Sequence, residues 1–368
     1  MNGRAGQLLK ASAPLLGIAA LALLLLVVAP AVLTQFRLNN LGKYCCYAIA
    51  AVGIGIAWGR GGMLVLGQGL FFGIGAYAMG MHLKLEASEA TGGVPDFMLN
   101  FGSGALPAWW EPFRSGPFTI LAIVVLPAVL AGLLGFAVFK RRIKGAYFAI
   151  LSQALTVAFA ALLVSQIKYT GGQTGLNSLR SFFGYNLYDP ANKQMIYFIS
   201  AGLLIAALLV TYQLYRSRFG ELLVAVRDAE ERVRFLGHDP ANIKVVAFVA
   251  AAVMASIGGA MFVPLAGLIN PREVNALASI MLIAGAALGG RASLLGPAIG
   301  ALAVGFGRTY LSESFPEQWT YFLGAMFILV ILFIPNGLAS VIPRLWARRR
   351  ERETAPVPTQ QPEPEVAA

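Results

Sequence analysis

The sequence offers few side chains that could act on a ligand, and the best candidate lies in a glycine-rich apolar segment. Gln68 stands between Gly67 and Gly69, whose lack of side chains would leave its amide accessible. An amide both donates and accepts hydrogen bonds, so it could hold a neutral polar solute or bond a neighbouring helix. Gly69 and Gly73 are four residues apart, which favours close helix packing or a thin wall beside a solute. Gly296 opens a similar late stretch, so all five residues are predicted to line a solute path.

The sequence shows none of the common catalytic patterns. It contains no GxxxxGK[ST] phosphate loop, no GxSxG and no HExxH. The middles of the apolar segments hold essentially no ionisable residue that could relay protons or ions. Cys45 and Cys46 are adjacent in an apolar segment, which suits neither a mutual disulfide nor a metal site. We therefore predict a protein that is not an enzyme, with no catalytic residue, no metal, no cofactor and no nucleotide site of its own.

A charged stretch at residues 216–244 interrupts the apolar segments. Its apolar positions recur mostly at three- and four-residue spacing, which is typical of one face of a helix. These positions are Phe219, Leu222, Leu223, Val226, Val233 and Leu236. Gly237 would end the helix, and its balanced charges do not favour a lipid surface. The pattern predicts a helix at about residues 219–237 that docks into a groove on a cytoplasmic protein or merely connects two spans.

Composition and the lengths of the apolar segments predict the transmembrane helices that must position these residues. The chain of 368 residues is 58% hydrophobic and 12% charged, whereas soluble proteins carry about 25% charged residues. We predict an all-α, polytopic integral membrane protein with about ten transmembrane helices in a lipid bilayer. The second and eighth segments are short and could be broken or re-entrant. The ten segments are residues 12–33, 43–58, 63–83, 118–139, 146–166, 194–215, 244–267, 276–290, 292–311 and 319–340.

Positive charges predict the orientation of these spans. Lys and Arg cluster in residues 1–10, 140–144, 216–234 and 344–350, which all fall on one side if there are ten spans. That side is predicted to be cytoplasmic, with both termini on it, and the net charge of +11 does not indicate nucleic-acid binding. Residues 1–342 would form the transmembrane domain. Residues 343–368 would form a cytoplasmic tail, first basic and then disordered.

Several motifs resemble permeases of ATP-binding-cassette (ABC) importers of the branched-chain amino acid, LivM-like type. RFGE and AVRDAE within residues 218–230 resemble the coupling segment of those permeases. The other matching motifs are LGQGLFFGIGAY at 66–77, TGGQTGL at 170–176, GG at 289–290 with GPAIGA at 296–301, and PNGL at 335–338. The resemblance covers roughly residues 40–342.

Within that family the chain most resembles permease subunits of urea transporters. The matching stretches are 41–44, 46–49, 93–98, 106–110 and the long external loop 85–117. Two segments depart from the family pattern: VLGQ at 65–68 stands where Ser-Leu-Gly-His is common, and GRGG at 59–62 replaces Gly-Tyr-Thr-Gly. Both lie near the expected solute path, so they bear on the substrate more than on the family.

The resemblance implies a division of labour in a bacterial inner membrane. Two cytoplasmic ATPase subunits would bind ATP, a second homologous permease would complete the pore, and a periplasmic solute-binding protein would deliver the solute. The implied coupling residues are Phe219, Gly220, Glu221, Ala225, Arg227, Asp228, Glu230 and Gly237. We expect a permease subunit for urea or short-chain amides. The alternatives are a branched-chain amino acid permease and an ion-coupled secondary transporter.

Overall fold

A computed structural model describes residues 2–315 except 90, 91, 103 and 144, together with residues 317, 318, 321, 322, 324, 325, 328, 332 and 337. Most of the predicted tenth segment, 319–340, and the whole predicted tail, 343–368, therefore lie outside the described residues.

The described part of the chain is almost entirely helical, which confirms the predicted all-α class. The α-helices are α1 (Asn2–Leu23), α2 (Ala29–Val32), α3 (Gln35–Ile54), α4 (Gln68–Ser88), α5 (Asp96–Phe101), α6 (Gly116–Lys140), α7 (Ala146–Ser165), α8 (Ile167–Thr170), α9 (Pro190–Arg216), α10 (Arg218–Phe235), α11 (Pro240–Ala266), α12 (Ala276–Gly289) and α13 (Gly296–Ser314). Leu24–Val28 and Gly55–Arg60 are π-helical, and Glu111–Arg114, Gly172–Thr174 and Pro271–Glu273 form 3₁₀ turns. The strands β1 (Ser181–Phe182) and β2 (Tyr185–Asn186) pair as a small antiparallel hairpin.

Seven helical runs in the described residues are long and apolar enough to cross a bilayer, so the chain is a multi-pass membrane protein. They are Ala13–Val32, Gln35–Arg60, Gly116–Lys140, Ala146–Ser165, Pro190–Arg216, Pro240–Ala266 and Pro271–Gly289. The predicted third and ninth segments correspond to the helices α4 and α13. The total of ten spans and the side on which the termini lie stay predictions. Below, "inner" means the end of the bundle that carries α10, and "outer" means the opposite end.

The second segment is longer than its apolar run predicted. The sequence predicted 43–58, but α3 begins at Gln35 and continues as π-helix to Arg60. Its first turns carry polar residues that bond neighbouring helices: the Asn39 amide donates to the carbonyl oxygen of Leu265 at 3.1 Å. The break comes later, because Gly62 has φ +69 and α4 starts only at Gln68. The irregular stretch 61–67 thus includes the first five residues of the third predicted segment, 63–83.

The helices α3, α4 and α11 form the centre of the bundle. Nearly every residue of α4 is buried. The helix is apolar on all sides, so its sequence does not show which face is covered. Close contact depends on glycine: a Cβ at Gly75 would collide with the backbone of Ser256 on α11, and one at Gly259 with the backbone of Phe72. Backbones can approach this closely in a membrane only where small residues face each other.

The eighth segment crosses the bundle as a broken element, one of the two possibilities that its shortness allowed. The helix α11 ends on the outer side, where Ile269 pairs with Leu176. On α4, Gly80 lies against Ile269, whereas Gly73 lies against Val274. The chain from Ile269 to Val274 therefore descends by about seven helical residues of α4, or roughly 10 Å, in non-α conformation. The 14 residues of α12 then cover the inner part.

The helices α12 and α13 form a tight hairpin at the inner side. Gly290 has φ +108, a conformation that favours glycine. Gly289 lies directly against the backbones of Gly296 and Gly300, and Gly285 lies against Ala301. The late glycine motif is therefore explained here by close packing of the two helices.

Candidate functional site

The charged stretch forms the predicted helix. The helix α10 spans Arg218–Phe235, and the Ser217 hydroxyl accepts from the backbone N–H of Gly220 at 3.4 Å at its start. Gly237 has φ +86 and follows its end, as the sequence predicted. The backbone kinks at Ala229, with φ −150 and ψ 64. Two short helical parts therefore meet within the element.

The apolar face of α10 packs on its own chain. Leu223, Val226 and Val233 are buried against the ends of neighbouring helices, and Leu223 reaches Gly61 just beyond α3. The expectation that this face fills a groove on another protein is therefore wrong for these side chains. The tertiary structure needs that face to hold α10 against the bundle. Phe219 is only half-buried.

Two charged residues fasten α10 to the transmembrane helices. The Arg227 guanidinium donates to the carbonyl oxygen of Gly59 at 2.9 Å and pairs with Asp228 at 2.8 Å. The hydrogen bond from Arg227 lowers the pKa of the Asp228 carboxyl. Glu230 pairs with Lys244 on α11 at 2.9 Å. A displacement of α10 would therefore pull directly on the π-helical end of α3 and on α11.

The side of α10 that is open to a partner is its solvent-exposed side, whereas the sequence predicted its apolar face. Its exposed residues include Glu221, Asp228, Glu231 and Arg232. At its end, Phe235 is 90% and Leu236 78% exposed. An exposed aromatic beside mixed charges is typical of a docking surface. The helical period placed Leu236 on the apolar face but missed Phe235, because only the packing shows which positions remain uncovered.

Gln68 begins α4 where that helix meets α7 and α12. Gly67 lies against Ser152, and the backbone N–H of Gly69 donates to the Ser279 hydroxyl at 2.9 Å. Gln68 is completely buried, which corrects the expectation that its neighbouring glycines leave it accessible. Neither atom of its amide has a hydrogen-bond partner among the described residues, and the same holds for Gln153 on α7. Unpaired buried amides cost roughly 1–3 kcal/mol each.

The other predicted path residues lie in two separate places. Gly73 faces Val274 and Phe159, close to Gln68, so residues 67–73 form one surface. Gly296 lies in the α12–α13 turn against Gly289, away from that surface in the packing. The structure thus brings together four of the five predicted residues and leaves Gly296 in a role that packing explains.

A second polar cluster was missed by the sequence reasoning. The Tyr47 hydroxyl donates to the Glu273 carboxylate at 3.4 Å, and Arg308 of α13 hydrogen-bonds Tyr47. These three side chains line a crevice with Met281 and Leu282. The cluster lies among α3, α12 and α13, with Arg308 near the end of the ninth predicted segment and Glu273 just before the eighth. Glu273 falls between the predicted segments 244–267 and 276–290, and only the descent of residues 269–274 brings it inside the bundle.

Comparison with known proteins decides the family. Residues 36–331 match the family described as "Branched-chain amino acid transport system / permease component". The chain belongs to this family. The permease is 28% identical to the branched-chain amino acid permease LivM of Escherichia coli (strain K12), over 86% of this chain and 73% of the relative. It is 26% identical to BraD of Pseudomonas aeruginosa over 83% and 94%, and 25% identical to the ribose permease RbsC of Escherichia coli (strain K12) over 59% and 68%. No solved structure matches the permease.

Family membership confirms the coarse predictions. The permease is a transmembrane subunit of an ABC transporter and not an enzyme, since ATP hydrolysis belongs to separate ATPase subunits. It also implies a solute-binding protein as a partner. The closer resemblance to urea permeases has no counterpart in these relatives, whose names support the branched-chain amino acid alternative.

Proposed function

We propose that this permease forms part of the path by which an ABC importer takes up branched-chain amino acids across a bacterial inner membrane. The observation that carries the proposal is the similarity to LivM and BraD over most of both chains. The crevice between Glu273 and Arg308 supports it, because these opposite charges beside apolar side chains suit a zwitterion better than an uncharged solute.

The energy would enter through α10. Its buried face and the bonds of Arg227 and Glu230 attach it to α3 and α11, so a displacement of α10 would move the ends of both helices. The proposed coupling residues are those named from the sequence: Phe219, Gly220, Glu221, Ala225, Arg227, Asp228, Glu230 and Gly237. Two ATPase subunits would contact its solvent side, and a second permease would complete the pore.

Urea or a short-chain amide is the second candidate. The buried amides of Gln68 and Gln153 favour it, because their unpaired donors and acceptors match those of a small neutral amide. In this proposal Gly67, Gln68, Gly69 and Gly73 line the path. The same amides could instead contact the polar end of an amino acid as it passes.

Uptake by the assembled importer distinguishes the candidates. The complete complex, with ATPases, partner permease and binding protein, would be placed in vesicles and supplied with labelled leucine or urea. We expect ATP-dependent uptake of leucine. Uptake of urea alone would support the second candidate, and uptake that follows an ion gradient without ATP would contradict an ABC mechanism altogether.

A further inference from the structure

Glu273 lies inside the bundle, toward its outer side. Its partner Tyr47 is twelve residues along the α3 run, which begins at Gln35 and has 26 residues to Arg60. At about 1.5 Å per residue this places Tyr47 roughly 18 Å into a run of roughly 39 Å. The carboxylate therefore lies among the transmembrane helices, although its own segment is a short 3₁₀ turn.

Arg308 reaches the same depth from the opposite side. It is twelve residues beyond the inner start of α13 at Gly296, again roughly 18 Å. The neighbouring contacts agree, because Thr309 bonds the hydroxyl of Tyr44 and Gly305 packs on the ring of Tyr44. An acid and a base thus meet inside the bundle, bridged by the phenol of Tyr47.

Charged side chains inside a membrane bundle are costly. Ionisable residues within transmembrane segments are rare and mark solute and ion pathways. A hydrophobic pair of similar size would hold the Pro271–Glu273 turn against α13 without that cost. Glu273 stands in the broken part of a span, where irregular backbone lies inside the protein, and such places are typical of solute and ion sites.

The crevice beside these charges is otherwise apolar. Below Glu273, Tyr47 and Arg308 it is lined by Ala278, Met281, Leu282, Ala301, Val304 and Gly305. Its open space is about 30 Å³ in this conformation, which is room for about two water molecules. A leucine-sized solute therefore fits only when the α12–α13 hairpin moves away from α3.

We propose that this crevice is a binding station for apolar amino acids, in which Glu273 takes the α-ammonium and Arg308 takes the α-carboxylate. The side chain of the solute would lie on Met281 and Leu282. A guanidinium has five N–H donors, so Arg308 can hold a protein contact and a carboxylate together. This inference rests on the proposed function and adds the residues that recognise the solute. An uncharged amide would satisfy neither charge.

Single and double neutral substitutions test the station. Glu273→Gln, Arg308→Gln and the double variant would be compared in the complete importer, with leucine delivered by its binding protein. Each single variant should lose leucine uptake on the order of ten-fold or more. Stimulated ATP hydrolysis should change much less, because α10 is untouched. The double variant should be at least as impaired as either single one, since both contacts with the solute are lost.

A purely structural ion pair gives a different pattern. The double variant would then regain uptake relative to the single ones, because neither charge is left buried alone, and hydrolysis and uptake would fall together. That result would contradict the proposed binding station, and so would wild-type leucine uptake by the Glu273→Gln variant. Glu111→Gln, on an exposed outer residue, is the matched control, and Tyr47→Phe provides a milder variant if the charge changes impair assembly. If the wild-type complex moves no leucine with ATP, the proposed function fails first.

Discussion

At the scale of single residues, buried polar groups carry most of the functional information in this permease. The bilayer core contains no water, so each of these groups must form a hydrogen bond within the protein or with a bound ligand. Tyr197 illustrates the first case, because its hydroxyl donates to the carbonyl oxygen of Leu25 at 2.6 Å. Gln68 and Gln153 illustrate the second, since their amides have no partner among the described residues.

Gln68→Leu separates these roles. Removing an unpaired amide should leave thermal stability unchanged or raise it by up to about 1 kcal/mol. If Gln68 lines the path, uptake by the assembled importer should nevertheless fall several-fold. Gln213→Leu, on an exposed position of α9, is the control for added hydrophobicity. Uptake equal to that of the wild type would assign Gln68 to helix packing alone.

The Lys140–Asp239 pair gives a pH-dependent contribution to stability. Asp239 also caps α11, and the hydrogen bond from Lys140 lowers its pKa below the usual 3.8. A lowered folded-state pKa stabilises the fold above pH 3.8 and loses that effect as pH falls through the folded value. Both side chains are exposed, so the contribution is small, below about 1 kcal/mol. The melting temperatures of wild type and Lys140→Met should differ slightly at pH 7 and converge in acid; a constant difference would contradict this.

At the scale of elements, α10 combines two functions on its two faces. Its apolar face anchors it to the bundle, while its charged face and Phe235 remain available to another protein. A helix that transmits motion from an ATPase needs both features, because a helix that is not anchored would move without moving the transmembrane helices. The kink at Ala229 separates the half that holds α3 through Arg227 from the half that ends at Phe235.

Charge reversal on α10 should uncouple the importer. Arg227→Glu removes the bond to Gly59 and places a carboxylate beside Asp228, and Glu230→Arg opposes Lys244. In each variant we expect normal insertion and continued ATP hydrolysis, with uptake per ATP reduced by roughly ten-fold or more. Arg141→Glu, exposed at the end of α6, changes the net charge by the same amount as Arg227→Glu and should have little effect. Full uptake in both α10 variants at matched expression would defeat the assignment.

At the scale of the whole molecule, the described bundle depends on close crossings of its central helices. Gly75 of α4 lies against Ser256 of α11, and Ser256 in turn donates to the carbonyl oxygen of Ile123 on α6 at 2.7 Å. Three helices therefore meet at one point without room for another side chain. Helix packing in a bilayer depends on such contacts more than on burial of apolar surface.

Gly75→Val should break this crossing. The added atoms would meet backbone rather than flexible side chains, so overpacking should cost at least 1–3 kcal/mol. We expect a lower melting temperature and loss of monodisperse protein in detergent. Gly202→Val is the control, because a Cβ there meets nothing within 4 Å. An unchanged melting temperature for Gly75→Val would show that the helices are less tightly packed than described.

The sequence alone determined the membrane class, most helix positions and the family, because apolar length, helical period and ordered motifs are local properties of the chain. It also placed α10 between two spans and predicted Gly237 at its end. It misplaced the start of α3 at 43 rather than Gln35, since polar residues that bond neighbouring helices do not look like part of a span.

Only the tertiary structure decided which faces are covered and how deep each residue lies. The apolar face of α10 was expected to bind a partner, but it packs within the permease. The helical period of apolar residues shows that such a face exists and not what covers it. Glu273 lies outside the predicted segments, and only the descent of its segment beside α4 places it opposite Arg308. Depth in a bilayer depends on contacts between residues far apart in the chain, such as Tyr47 and Glu273, and no local pattern records them.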